Sequence, residues 1–373
     1  MSKDLIEQSI ERVVQRIDAT LAQDGVGFPH YADLETGKWT RTPDGDWTGG
    51  FWVGMLWLAA WRTGDARYCS AASNWAERLA PRATSKSVFK GFLFWYGAGI
   101  GRELFGDRVA RQLARDGARG LIEMFNGDAG LIPLGTDAEE AAEVGNDKAN
   151  IDSLPGTIPL LLTHALELGA DDIARQHLRK HLELCVRADS SVCQSAEFDP
   201  ANGALLRRYT HKGIHDDSTW GRAQAWAMVA LAQAMAFGDP ACKENAVAVA
   251  DWWVKNLPPD SVAYWDFNDP MIPEVPRDTA ATSIAAAALL KLAVLVPERR
   301  VQYRAVAKAS IDALAQHHLT PTHPEDPRPA GMLTDGCFNQ RLGFATNNEL
   351  IFGDYFFLEA LLVLAGDLQP NRI

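Results

Sequence analysis

The chain has 373 residues, 47% of them hydrophobic, and a net charge of −12. That acidic surplus, with no run of Lys or Arg, argues against a nucleic-acid partner. A mean hydropathy of −0.15, with no apolar run near the roughly 20 residues that span a bilayer, argues against a membrane one.

The opening stretch MSKDLIEQSIERVV carries charge where a signal peptide needs an apolar run, so a cytoplasmic location is expected. From there a 3.6-residue apolar period dominates. It predicts helices over 3–23, 50–64, 67–80, 88–105, 107–125, 151–169, 171–188, 219–237, 239–256, 279–296, 299–318 and 348–366, with almost no strand-like alternation. Helices rich in Ala, Leu and Trp (GFWVGMLWLAAW, AWAMVALAQAMA, TSIAAAALLKLAVL) alternate with amphipathic ones (DRVARQLARDGARGLIEMF, DIARQHLRKHLELCV). The first kind belongs inside and the second outside. Gly-Asp joints at Gly64-Asp65, Gly106-Asp107 and Gly238-Asp239 supply a C-cap and then an N-cap. Six inner–outer hairpins predict an all-α (α/α)6 toroid. It would be one domain over 1–373, although the length alone suggests two. An open α-solenoid is the competing layout, but its repeats would keep a stricter period.

Five longer connections, 24–49, 126–150, 189–218, 257–278 and 319–347, separate the hairpins and should gather at one mouth of the ring, where a binding cleft is expected. The cysteines, Cys69, Cys185, Cys193, Cys242 and Cys337, are odd in number and form no CxxC pair. Free buried thiols are expected, and neither a disulfide framework nor a zinc site. His177 and His181 are four apart, but no acidic third ligand follows, so no metal site is predicted there. The run EEAAE at 139–143 reads as a solvated loop.

Twelve tryptophans are many for this length. Indoles stack on the apolar faces of sugar rings, although core packing explains most of them. Trp47, Trp220 and Trp226 have polar neighbours and are the candidates for a carbohydrate cleft. The densest polar stretch, HKGIHDDSTWGRAQAWA at 211–227, sets His211, Lys212, His215, Asp216, Asp217, Arg222 and Gln224 before and inside an inner helix. Capping explains only Asp217 or Ser218. Trp220 with Gln224, and Arg222 with Trp226, are i,i+4 pairs that can share faces. Asp152 opens an apolar helix. It is either an N-cap or a carboxylate whose burial beside aromatics raises its pKa and makes it a proton donor.

The segments WTGGFWVGMLWLA (47–59), NIDSLPGTIPLLL (150–162), HKGIHDDSTWGRAQAWA (211–227), DTAATSIAAAALLKL (278–292) and NNELIFGDYFFLEALLVL (347–364) together resemble the unsaturated glucuronyl hydrolases of glycoside hydrolase family 88. The resemblance covers almost the whole chain. It implies an (α/α)6 barrel acting on small acidic oligosaccharides left by polysaccharide lyases, with no metal or organic cofactor. Asp152 would protonate C4 of the C4=C5 double bond of a terminal unsaturated uronic acid and then activate water against C5. Trp47, Phe89, His211, Lys212, Trp220, Arg222, Gln224 and Trp226 would line the sugar subsite, with Lys212 and Arg222 as cations for the uronate carboxylate. Asp354 would be structural or stand behind the residues that touch the sugar.

The chain departs from the family pattern at one place. A His-Asp pair there usually precedes Gly-Phe, and the Asp is a second active-site carboxylate. Here the stretch reads SVFKGFLF, with Val88 and Phe89 in those places and Lys90 beside them. Either Asp147 or Asp216 substitutes, or the substrate differs, or activity is weak. Lys90 would either contact a substrate carboxylate or sulfate or be solvated. The same scaffold also carries saturated-sugar glycosidases and epimerases, and a non-catalytic sugar-binding relative is the third alternative. The sequence leaves monomer against homodimer open.

Overall fold

The computed structural model describes residues 1–23 and 26–373; the first two positions of the 24–49 connection lie outside them. Six inner helices form a ring. They are Gly49–Thr63, a segment from Lys90 to Phe105 broken by a π-helical turn at Trp95–Gly99, Leu154–Thr163, Gly221–Ala236, Thr279–Leu295 and Ile351–Ala365. Each packs on the next, and the last packs on the first. That closing contact between Ile351–Ala365 and Gly49–Thr63 excludes the open solenoid. The fold is the (α/α)6 barrel.

Burial follows composition. From Gly49 to Ala60 every residue of the first inner helix is buried, whereas the outer helix Arg108–Ile122 buries one face through Ala110, Leu113, Ala114 and Leu121. The remaining outer helices are Lys3–Ala22, Ala66–Glu77, Asp171–Cys185, Lys243–Asn256 and Arg300–His317. Two glycines set the inner spacing. A Cβ on Gly50 would lie 2.4 Å from the Phe92 carbonyl oxygen, and one on Gly91 would lie 2.1 Å from Thr157 Oγ1. Only Gly lets these backbones meet.

Two of the three Gly-Asp joints behave as predicted. Gly64 (φ 70°) and Gly106 (φ 63°) end their helices in the left-handed region, and Asp65 and Asp107 accept from the backbone N–H groups of Arg67 and Ala110. Asp239 does not cap, because Pro240 starts a 3₁₀ turn there; its carboxylate instead pairs with Arg175 at 2.9 Å.

The near absence of strands needs correction. Among the described residues, six short strands form two antiparallel three-stranded sheets. One orders Trp39–Thr42, Phe28–Ala32, Glu349–Leu350, and the other Ala149–Asn150, Ser195–Phe198, Leu205–Tyr209. None exceeds five residues, too few to show a period of two. All lie in or beside the long connections and hold them together. Arg16, from the first helix, braces one sheet through a buried pair with Glu349 at 2.5 Å.

Those connections meet at one mouth. The His30 and Phe338 rings are 5.2 Å apart, Arg341 Nη1 donates to the His211 carbonyl at 3.1 Å, and Ser218 Oγ donates to Asp266 at 2.6 Å. His177 and His181, both buried, face inward from an outer helix with ring centroids 4.3 Å apart. His177 Nδ1 accepts from the Ile132 N–H at 3.1 Å, which makes the histidine a support for the 126–150 connection.

Candidate active site

Asp152 sits in a 3₁₀ turn, Ile151–Ser153, between the strand Ala149–Asn150 and an inner helix that kinks at Pro155 and Gly156. The N-cap alternative for Asp152 does not hold. Asn150 caps the turn, its Oδ1 accepting from the Asp152 N–H at 2.9 Å. The Asp152 side chain is thereby left for other work. Gln194, beside the paired strand Ser195–Phe198, donates from Nε2 to Asp152 Oδ2 at 2.8 Å. Asp152 Oδ1 is buried with no partner among the described residues. Burial pushes the carboxyl up to about 6, against the opposing pull of the Gln194 hydrogen bond, His211 and Arg222.

Asp152 lines a pocket together with Trp47, Phe89, Lys212, Trp220, Arg222 and Trp226. Two further residues, Phe92 and Glu140, complete the wall. The aromatic side is continuous. Phe92 lies 5.5 Å from Trp47, 5.1 Å from Trp226 and 6.1 Å from Phe89, centroid to centroid. Trp47 reaches Phe352 at 5.1 Å. Such a wall excludes water and presents π faces to an apolar ligand surface.

The polar side is more heavily tied down than the sequence suggests. The Arg222 guanidinium stacks 4.3 Å over the Trp220 ring. It donates to Asp278 Oδ2 at 2.5 Å and to the carbonyls of Cys337 and Phe338. Its charge reaches the pocket while its donors hold the 319–347 connection. Lys212 donates from its backbone to Gln194 Oε1 at 3.0 Å, and its Nζ meets the Glu140 carboxylate. His211 touches the pocket indirectly, with Nδ1 3.2 Å from Ser195 Oγ and Nε2 3.1 Å from Glu140 Oε2. Burial lowers its pKa below the ordinary histidine value, against the pull of Asp152.

Two predicted residues lie elsewhere. Gln224 turns away from the pocket: its Oε1 accepts from the Val192 N–H at 2.9 Å, and its Nε2 donates to the carbonyls of Ser190 (3.1 Å) and Val249 (3.0 Å). It is a brace between an inner helix and its neighbours. Lys90 is neither solvated nor at the site. It is buried, with Nζ donating to the Ala83 carbonyl at 3.0 Å.

Neither proposed substitute acid enters the pocket. Asp147 is exposed beside Lys148 at 2.9 Å, and Asp216 pairs with Arg207 at 2.5 Å on the rim. His215 is exposed. The EEAAE run is not uniformly solvated, because Glu140 is only 8% exposed. Nothing in that run separates Glu140 from its neighbours Glu139 and Glu143, which are exposed. Phe92 was missed by the sequence reading, although it stands three residues from Phe89 on one helical face. Asp354 is fully buried, and burial, with Glu349 beside it, raises its pKa well above the carboxylate range.

No family model matches the chain. The unsaturated glucuronyl hydrolase of Bacillus sp. (strain GL1) is 33% identical to it over 359 residues, 92% of each chain. The unsaturated chondroitin disaccharide hydrolase of Streptococcus pneumoniae (strain ATCC BAA-255 / R6) is 28% identical over 97% of this chain and 92% of its own. Among solved structures, the Bacillus sp. GL1 unsaturated glucuronyl hydrolase, described as responsible for the degradation of glycosaminoglycan, superposes with a TM-score of 0.87 at 31% identity, covering 96% of each chain. With one third of its residues shared along nearly the whole length of the Bacillus enzyme, and the same barrel around its pocket, the chain belongs to the unsaturated glucuronyl hydrolases, which are hydrolases of glycosidic bonds.

Proposed function

We propose that the chain frees a 4,5-unsaturated uronic acid from the non-reducing end of acidic oligosaccharides produced by polysaccharide lyases, with Asp152 as the proton donor. Asp152 Oδ1 supports this reading most directly. It is the unpartnered oxygen of a buried carboxyl poised near 6, in a wall of indoles and phenyl rings. A solved relative described as a UGL variant with dGlcA-Glc-Rha-Glc, 32% identical to this chain, is consistent with an oligosaccharide substrate.

In the reaction, the Asp152 carboxyl gives its proton to C4, and the electron pair of the C4=C5 bond forms the new C4–H bond. The cation left at C5 takes water, whose proton passes to the Asp152 carboxylate and restores the acid. The C5 hemiketal then opens to a ketone. Its hydroxyl proton moves to the ring oxygen as the C5–O bond breaks. The hemiacetal left at C1 collapses to an aldehyde, and the remaining saccharide departs as an alcohol. One water is consumed. Lys212 lies on the pocket wall to receive the uronate carboxylate, and Trp47, Trp220 and Trp226 flank the ring.

This reading treats residues 1–373 as one catalytic domain working in the cytoplasm, as a monomer or homodimer. An epimerase is not favoured, because His215 stands outside the pocket and leaves His211 without a histidine partner. The test follows the ultraviolet absorbance of the unsaturated uronide. The wild-type protein bleaches it and Asp152→Asn does not. Bleaching by both would overturn the assignment of Asp152.

A further inference from the structure

We propose that Glu140 is a positioning residue of this site: it keeps the buried Lys212 an ammonium and His211 in one orientation, supplying from the 126–150 connection the second carboxylate that Phe89 cannot. The proposal rests on the pocket reading above, in which Lys212 receives the substrate's carboxylate.

Glu140 begins a single helical turn, Ala141–Val144, bounded by Gly135 and Gly145, both at positive φ. Its side chain is buried and makes three contacts. Asn150 Nδ2 donates to Oε2 at 2.7 Å, His211 Nε2 lies 3.1 Å from the same oxygen, and Lys212 Nζ meets Oε1. Asn150 is also the residue that caps the Asp152 turn. One asparagine therefore registers both carboxylates, although they come from different segments.

Lys212 needs such a partner. It is 7% exposed, and burial together with Arg222 pushes its ammonium down to about 7. Asp46 and Glu139 across the mouth oppose this, but neither makes a contact of its own with Nζ among the described residues. The other groups facing it are His30 from the first sheet, Asp152 and His211, with the Trp220 and Phe338 rings each 5.8 Å from Nζ. Among the described residues Glu140 is the one carboxylate in direct contact. An opposite charge at that range restores the charged form. An ammonium carries three donors, so Lys212 can hold Glu140 and a substrate carboxylate together.

The experiment measures kcat and KM across pH 5.5–9 for wild type, Glu140→Gln, Glu140→Asp and the exposed control Asp147→Asn, with thermal unfolding confirming that each variant folds. In Glu140→Gln the alkaline limb of kcat/KM should move down by about one pH unit or more. KM should rise about tenfold at pH 8 and change little at pH 5.5, where Lys212 stays charged without help. Glu140→Asp should recover part of the shift, and Asp147→Asn should match wild type. A Glu140→Gln profile superimposable on wild type overturns the proposal. So does a lower KM, which would mean that Glu140 competes with the substrate for Lys212. If instead Asp152→Asn keeps full activity, the pocket reading fails and this proposal with it. Loss in Asp152→Asn alongside an unshifted Glu140→Gln profile sinks this proposal alone.

Discussion

Gln194 makes the two oxygens of Asp152 unequal: its amide holds Oδ2 at 2.8 Å, and Oδ1 has no partner among the described residues. The same side chain accepts from the Lys212 backbone N–H at 3.0 Å. One amide thus orients the proposed acid and the proposed carboxylate receptor together.

Replacing Asp152 separates chemistry from stability. Asp152→Asn should lower kcat by about 10³-fold, within the range for loss of a general acid–base group. The folded protein should become more stable. With its pKa raised from 3.8 to about 6, the buried acid contributes stability that is fully present below its unfolded pKa and lost as pH rises through 6. At pH 7.5 the asparagine escapes that loss, a gain of about 2–3 kcal/mol that should vanish below about pH 4. Chemical denaturation at the two pH values measures it. An equal gain at both would contradict a buried, proton-holding carboxyl.

The Gln194 hydrogen bond pulls the Asp152 pKa down. Gln194→Leu should therefore let the carboxyl hold its proton to higher pH and move the alkaline fall of kcat upward by about one unit. The maximum rate should also drop, because Oδ2 is no longer anchored. A pH–rate profile decides between an upward shift and none.

Gln224 and Lys90 should affect folding rather than binding. Gln224→Ala strands the buried Val192 N–H and two carbonyls, and should cost about 1–3 kcal/mol by denaturant unfolding. Lys90→Met should leave the KM values for sulfated and unsulfated saccharides in the same ratio as wild type, because Nζ is committed to the Ala83 carbonyl. A change in that ratio would return Lys90 to the substrate.

Gly50→Ala sets a methyl group 2.4 Å from the Phe92 carbonyl oxygen. The backbone of the neighbouring inner helix must shift, at about 1–3 kcal/mol. Since Phe92 carries the aromatic wall, KM should rise along with the lost stability. Thermal unfolding and steady-state kinetics together check this, and a fall in stability with an unchanged KM would show that the wall absorbs the shift.

The barrel was legible because its signal is long-range and repeated. Helices apolar all round, such as Gly49–Thr63, can only be inner, and helices with one apolar face, such as Arg108–Ile122, can only be outer. Trp47, Trp220 and Trp226 stood out through polar neighbours at the expected mouth. What failed was orientation within a turn. Gln224 lies one helical turn from Trp220 but faces the brace, and periodicity cannot say which of two polar faces a fully buried helix turns toward a cavity. Glu140 was hidden for a different reason. Its burial comes from Asn150, His211 and Lys212, which lie 10 to 72 positions away in the chain, and no local pattern encodes that.

The 5.1 Å approach of Trp47 to Phe352 has a bearing on biosynthesis. One wall of the pocket leaves the ribosome early and its neighbour about 300 positions later. Hairpins can form as they emerge, but the bowl stays unfinished, with indoles facing water, until nearly all of the chain has been made. High contact order of this kind slows folding, and a nascent chain stalled before Phe352 would expose the very surface meant for sugar to chaperones and to its own copies.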